Sequence, residues 1–514
     1  MFSTTISGAL HGVEGILLQV EVDVSNGMPS LEMVGLLGSE VKEAKERVRA
    51  TIKNLGITMP PKKIVVNLSP ANVRKIGTAY DLPIAIGILK SMDVLPRDCT
   101  KDMLLLGELG LDGAIKPVSG VFPILTKAKE QGIKTCILSE ENMEEASFFK
   151  DMEIYGFDTM GELVAFFSGR EKKSHIKREQ KELRENKASH NFEMIVGQES
   201  GKRAALIGAA GGHNLLFIGP PGTGKTMLIK ALGSILPPLT EREKMEVASI
   251  MSATGKMRET DFWYLQRPFV EVHHSATANT LIGGGMIPKA GAMTLAHKGV
   301  LFLDELPEFK RTVLDAMRQP LEEKQIVFLR SGITYTFPAD VMLVAAMNPC
   351  PCGYYPDKNK CVCLPHQVKK YIGHISGPIL DRIDVVAETV TMKNCCGDFF
   401  HKEEKFTSAK MKKLVITARE MQQIRYEEVF GKNICRWNGN LADEEIEKLC
   451  IPDKEAERLL DRLLEKYSLS GRAYCSLLKV ARTIADLDNC EKIEEKHLAE
   501  AAGYRLGFER YFYG

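Results

Sequence analysis

The sequence predicts a multidomain α/β protein: an α+β N-terminal domain (1–168), a charged linker (169–191), a phosphate-loop α/β domain (192–390) and an all-α C-terminal segment (391–514). Three observations carry that reading. The chain has 514 residues, and at about 150 residues per domain this means roughly three cores. A G-P-P-G-T-G-K-T string stands between an apolar strand and a helix. After Met411, long amphipathic helical stretches replace strands.

In the first part, Ile16, Leu18, Val20, Val22 and Val24 alternate at period two and mark a strand. Ser25-Asn26-Gly27 turns it, and residues 30–34 return. Val41, Ala44, Val48, Ile52 and Leu55 then share one helical face that Gly56 ends. Further strands are predicted at 64–68, 103–109 and 135–138, and helices at 81–92, 122–131 and 159–167. Residues 169–190 interleave Lys and Arg with Glu and offer almost nothing to bury, which reads as a solvated linker. A DNA-binding arm is the alternative. In the last part, helices are predicted at 453–467 and after Ser470, the latter carrying Ala473, Leu477, Val480, Ala481 and Ile484.

Lys plus Arg exceed Asp plus Glu by 68 to 67. A surface coated in basic charge is excluded, so any nucleic-acid contact must come from a local patch, loop or pore. No apolar run approaches the ~18–20 residues of a membrane span, and the first residues lack the basic-then-apolar order of a secretory signal. Twelve Cys then suggest reduced thiols or metal ligands. The expectation is a soluble, cytoplasmic protein.

The phosphate-loop string comprises Gly219, Pro220, Pro221, Gly222, Thr223, Gly224, Lys225 and Thr226, with Met227 opening the helix. The glycines let backbone N–H groups and the helix N-terminus cradle anionic oxygens. Lys225 is expected at the β/γ-phosphates of ATP and the Thr226 hydroxyl on Mg²⁺. A second apolar strand, G-V-L-F-L, delivers Asp304 and Glu305. Asp304 suits the Mg²⁺ shell and Glu305 the attacking water. A third, V-M-L-V-A-A, ends at Asn348, placed to bond the γ-phosphate or that water, although Asn-Pro by itself also marks a turn.

These strand-end motifs, followed by helices, resemble an AAA+ ATPase. The strings V-H-H-S-A-T-A-N-T-L-I-G-G-G, H-K-G-V-L-F-L-D-E-L-P-E-F, R-Q-P-L-E and S-G-P-I-L-D-R-I-D are similar to the magnesium-chelatase-related branch, specifically the ComM/YifB family. The resemblance implies a hexameric ring that binds ATP and Mg²⁺, with a helical lid. It implies a DNA translocase or helicase promoting branch migration on single-stranded or branched DNA during recombination or natural transformation, with recombinase-associated partners. Arg382 matches the arginine finger reaching a neighbouring subunit's site; a surface ion pair with Asp381 or Asp384 is the plainer alternative. Arg472 matches the sensor-two arginine of the lid, while Arg482 suits packing within the helices. Residues 74–85 and 107–121 resemble the Lon-type peptidase fold (the ribosomal S5 domain 2-like fold), but Ala79 and Phe122 stand where the nucleophilic Ser and its Lys belong. A scaffold is therefore expected rather than a peptidase.

Cys350, Cys352, Cys361 and Cys363 bracket a polar turn and suit a structural zinc ion, with free thiols or a redox switch as alternatives. His366 and His374 are alternative ligands. Residues 326–334 read as a hairpin with Arg330 near its turn, and 273–289 as a mobile loop carrying Lys289. Arg330 and Lys289 are the candidate DNA contacts; a solvated surface cation is the alternative for each. His273 and His274 suit packing or the relay of nucleotide state. Two other functions stay open: a protein-remodelling chaperone, and a metal-insertion ATPase of the magnesium-chelatase type.

Overall fold

A computed structural model describes residues 1–170, 190–257, 265–390, 406–431, 436–467 and 469–506. The charged linker and the connection after Val390 lie almost wholly outside the described residues. The chain divides into two compact units, Met1–Glu185 with Glu241–Leu265, and Asn186–Thr240 with Gln266–Gly514.

The first unit runs β1 (Phe2–His11), β2 (Glu14–Ser25), β3 (Ser30–Val34), α1 (Ser39–Asn54), β4 (Lys63–Ser69), α2 (Asp81–Ser91), β5 (Met103–Leu105), α3 (Val121–Glu130), β6 (Thr135–Ser139), β7 (Glu153–Phe157) and α4 (Met160–Phe167). Its mixed sheet has the order β3-β4-β2-β1-β5-β6-β7. Leu18, Val20, Val22 and Val24 of β2 are buried, as their alternation requires.

Sequence periodicity did not reveal β1, because the residues that alternate there are small hydroxyls. Ser3, Thr5 and Ser7 are buried. They donate to the carbonyls of Gly87 (2.7 Å), Pro83 (3.1 Å) and Leu105 (3.1 Å), so the strand packs closely under α2, every residue of which is buried. The strand expected at 103–109 is split: Met103–Leu105 lies in the sheet, and Glu108–Leu109 pairs apart from it with Ile115–Lys116. Between the two pieces the backbone of Gly107 turns to pair with Ala79 and Leu82 instead of the sheet.

The helix Glu241–Ala253 follows the phosphate-loop helix in sequence but belongs to this first unit. Ala248 enters the core formed by Phe122, Leu125 and Ala128. Ser252 accepts the Gly120 N–H through its carbonyl (3.1 Å) and the Phe122 N–H through its hydroxyl (3.2 Å).

The second unit contains α5 (Glu199–Gly211), β8 (Leu215–Ile218), α6 (Lys225–Ile235), β9 (Phe269–Val272), β10 (Val300–Leu303), the hairpin β11 (Gln325–Arg330) and β12 (Ile333–Pro338), β13 (Met342–Met347) and β14 (Val385–Glu388). Four longer helices follow: α7 (Ser408–Phe430), α8 (Lys454–Tyr467), α9 (Gly471–Leu487) and α10 (Glu495–Leu506). The sheet is wholly parallel, in the order β9-β10-β13-β8-β14. Strands β8, β10 and β13 are buried along their whole length, which explains their unbroken apolar runs. Asn214 joins three of the chain segments entering this sheet: its amide donates to the Arg382 carbonyl (2.7 Å) and its oxygen accepts the Leu343 N–H (2.8 Å). The C-terminal helices are not a separate body, since Leu477, Val480 and Ile484 of α9 share a core with Phe217 and Ala205. No helix among the described residues is long and apolar enough to cross a membrane.

Candidate active site

In an open parallel sheet, ligands bind at the C-terminal strand ends. Here β8 ends at the phosphate loop, β10 at Asp304 and Glu305, and β13 just before Asn348. Gly222 (φ +75°) and Gly224 (φ +86°) hold left-handed backbone, and a Cβ on either would meet nothing within 4 Å. The loop is thus an open cradle at the N-terminus of the 11-residue α6, where unpaired N–H groups favour phosphate.

Lys225 reaches the carbonyls of Gly219 (2.7 Å) and Pro220 (2.9 Å) and the Asn348 side-chain oxygen (3.1 Å). Burial lowers its pKa to about 8, against the pull of Asp304 and Glu305. The Thr226 hydroxyl lies 3.4 Å from an Asp304 oxygen. A hydroxyl beside a carboxylate is an all-oxygen donor pair fit for Mg²⁺. Glu305 stands at φ +55°, and its carboxylate lies 3.2 Å from His274 Nδ1. Thr223 donates to the Pro220 carbonyl (2.9 Å) and meets the Thr389 hydroxyl at 2.7 Å. Pro221 and Met227 complete the loop, Met227 being 44% exposed.

Two residues not anticipated from sequence brace this site. Gln198 donates from one amide nitrogen to the carbonyls of Thr223 (3.1 Å) and Val390 (2.7 Å), locking the loop to the end of β14. The Tyr371 hydroxyl meets the backbone N–H of Asn348. Neither sits in a recognisable string; each becomes visible only once residues far apart in sequence meet.

Arg382 and Arg472 converge on a single carboxylate. Arg382 lies 2.7 Å from Glu322, and Arg472 hydrogen-bonds the same Glu322 oxygen. Arg382 also donates to the Pro378 carbonyl (2.6 Å) and is 10% exposed. Its ion-pair partner is therefore Glu322 and not the neighbouring Asp381 or Asp384. Asp384 is occupied by the Ser476 hydroxyl (2.6 Å) and by His213, whose Nδ1 is 3.5 Å away. Arg482 is buried in the helices, paired with Asp486 at 3.1 Å and with the Cys490 and Glu491 carbonyls.

The four cysteines gather at one point. Cys350 Sγ lies 3.3 Å from that of Cys352 and 3.8 Å from that of Cys361, and the last two are 3.6 Å apart. With Cys363, all four sulfurs fall within 4.8 Å of one another. A tetrahedron of Zn–S bonds near 2.3 Å has edges of about 3.8 Å, so the cluster has the size of a zinc site. Tyr355 donates its N–H to Cys350 Sγ (3.4 Å). Burial disfavours the Cys352 thiolate, but the N–H groups of Tyr354 and Val362, together with the Cys350 and Cys363 thiols, outweigh it and draw its pKa to about 6. His374 is turned away, its Nδ1 against the Pro307 carbonyl (3.3 Å). A second grouping, Cys490, Glu494 and His497, suits a metal poorly: His497 Nδ1 accepts the Glu494 N–H (3.0 Å), which leaves the proton on Nε2.

The expected hairpin is β11–β12, turned at Ser331 (φ +50°) and Gly332 (φ +76°). The loop expected at 273–289 carries defined structure: the helix Ala278–Ile282, capped by Thr277, and a ribbon pairing Gly283-Gly284 with Lys289-Ala290. Arg330 Nε donates to the Gly285 carbonyl (3.3 Å), so Arg330 and the ribbon bearing Lys289 are neighbours. His273 and His274 stack at 4.0 Å between ring centroids.

Comparison with known proteins matches residues 191–395 to the family described as magnesium chelatase, subunit ChlI. Residues 405–505 match the C-terminal region of that subunit, and 20–142 match subunit ChlI of Mg-chelatase. Competence protein ComM of Haemophilus influenzae is 42% identical over 504 residues, covering 97% of this chain and 96% of that protein. YifB of Salmonella typhimurium is 42% identical over 499 residues, with the same coverage. The magnesium-chelatase 38 kDa subunit of Rhodobacter capsulatus is 26% identical over 174 residues, 31% of this chain and 50% of that protein. A parallel sheet that brings Lys225, Thr226, Asp304 and Asn348 together, on a chain alike from end to end, places this protein in the ComM/YifB family of magnesium-chelatase-like AAA+ ATPases.

Proposed function

We propose that the protein is an ATP-driven DNA motor: a homo-hexameric, cytoplasmic ring that translocates on single-stranded or branched DNA and promotes branch migration in recombination or natural transformation. The observation that carries this reading is the near-complete coverage of a competence protein together with the converging nucleotide site. Lys225 and the amides of α6 bind the triphosphate, and Thr226 and Asp304 hold Mg²⁺, which neutralises phosphate charge. Glu305 orients water in line with the γ-phosphorus and accepts its proton as the bond to the β–γ bridging oxygen breaks. Asn348 positions the same water or the γ-phosphate. Arg382 from a neighbouring subunit stabilises the transferring phosphoryl group, and Arg472 reports nucleotide state to the lid. Cys350, Cys352, Cys361 and Cys363 hold a structural Zn²⁺. The N-terminal unit serves as a Lon-like scaffold: the position expected for a catalytic lysine is Phe122, buried beside Phe148 and Phe149 with ring centroids at 5.5 and 5.0 Å.

Arg330 and Lys289, both exposed and on adjoining ribbons, offer phosphate contacts that a ring would repeat around a channel, giving a neutral subunit a basic pore. The test is ATP turnover with and without forked DNA, alongside unwinding of that fork. Wild type is expected to show DNA-stimulated turnover. Lys225→Ala should abolish turnover altogether, and Arg330→Ala should remove the DNA-dependent increment. Stimulation unchanged in Arg330→Ala contradicts the pore assignment. Turnover indifferent to DNA but raised by unfolded protein contradicts the motor and favours a remodelling chaperone.

A further inference from the structure

The cysteine cluster is built directly onto the nucleotide site. Cys350 lies two residues beyond Asn348, whose side chain holds Lys225 at 3.1 Å. Between the first two cysteines and the polar turn stands Gly353 at φ +84°, where a Cβ would come within 2.6 Å of Pro221 Cδ in the phosphate loop. The knuckle's backbone therefore rests on the loop that cradles phosphate. On its other side, the helix Pro365–Ile372 begins two residues after Cys363. It presents Tyr371 to the Asn348 N–H, with Glu305, Glu308 and Cys350 alongside. Just beyond it, His374 contacts the Pro307 carbonyl, two residues past Glu305. Four sulfurs at zinc-site spacing thus lie at the junction of the phosphate loop, Asn348 and the segment after Glu305.

We propose that metal occupancy of this cluster governs nucleotide binding: the loaded knuckle braces Pro221 from one side and, through Tyr371, Asn348 from the other. Without the ion nothing ties the two Cys pairs together, the turn opens, and the phosphate loop loses its support. The chain then becomes an ATPase whose competence depends on thiol-bound zinc. This rests on reading the cluster as a zinc site and the loop as an ATP site, and each part is measured separately.

The experiment uses the full chain. Zinc is counted by elemental analysis, affinity is read with a fluorescent ADP analogue in excess Mg²⁺, and folding is followed by circular dichroism. As purified, about one zinc per chain is expected. Stripping it with a thiol-reactive mercurial followed by reductant and chelator removal, or by Cys361→Ser with Cys363→Ser, should weaken nucleotide binding about tenfold or more, the scale of strong coupling between sites. Zinc added back to the stripped wild type should restore it. Gly353→Ala provides an arm that keeps the ligands: it should retain zinc and fold, yet bind nucleotide more weakly because its methyl displaces Pro221. Lys225→Ala should retain zinc and lose nucleotide. Zinc lost with affinity unchanged, or Gly353→Ala with wild-type affinity, overturns the coupling. A folded protein that never holds metal overturns the site itself. Failure of the zinc-loaded wild type to bind nucleotide overturns the ATPase reading instead.

Discussion

Lys225 illustrates how a single side chain is prepared for its ligand. Its ammonium is partly desolvated, bonded among the described residues to two carbonyls and the Asn348 amide oxygen, and its pKa is drawn to about 8. A triphosphate replaces those weak partners with full negative charge and holds the proton in place. Because the nucleotide-free lysine loses its proton as pH rises through 8, while binding needs the charged form, affinity must fall on the alkaline side. Linkage predicts that nucleotide binds about tenfold more weakly at pH 9 than at pH 7, with little change between pH 6 and 7. Fluorescent-nucleotide titrations across that range check it; a flat profile contradicts the placement of Lys225 at the phosphates. At this scale the sequence marked the consecutive residues of the phosphate loop and Asp304-Glu305, and the fold brings Thr226 and Asp304 side by side. The sequence was silent on Gln198 and Tyr371, because their partners Val390 and Asn348 stand 192 and 23 positions away.

At the level of elements, periodicity was a good guide where burial is apolar and a poor one where it is polar. β2 follows its valines, whereas β1 pairs with β2 over its full length through residues that look like a loop. Its buried hydroxyls add a second bond to carbonyls inside α2, so their loss removes a strand-to-helix tie in the core. Thr5→Val keeps the shape and removes the donor, and should cost about 1–2 kcal/mol in urea unfolding of the full chain; no change would mean that the hydroxyl bond is not what seats β1 under α2. The short helix Arg318–Glu323 is a second case. The sequence marked R-Q-P-L-E as a family string without saying what its Glu does. In the folded chain, Glu322 gathers Arg382 and Arg472, and although burial opposes its charge, the two guanidiniums hold its carboxyl below the ordinary range. Neither spacing nor charge pattern indicates that an acid at 322 meets arginines 60 and 150 positions later.

Across the whole molecule, sequence order and spatial order part company at one place. Residues 241–257 interrupt the nucleotide half, yet belong with the N-terminal core, which Ala248 enters. The helix Glu241–Ala253 shows an apolar face in sequence, but an apolar face does not name the core it will enter. The helical C-terminus shows the reverse: composition set it apart, while its buried residues complete the hydrophobic core beneath β8 and β10. Both corrections concern long-range packing, which composition and local pattern do not encode. The claim on which the motor rests is longer-ranged still: each pocket is completed by an arginine from the next copy. Within one chain, Arg382 is held by Glu322, so a partner subunit has to draw it away. The most direct measurement mixes two inactive variants, Lys225→Ala and Arg382→Ala, and reads ATP turnover. If neighbours share pockets, the Lys225→Ala chain lends its arginine to the intact phosphate loop of the other, and the mixture turns over ATP although neither parent does. A mixture as inactive as its parents, in solutions where the subunits are seen to assemble together, contradicts the account.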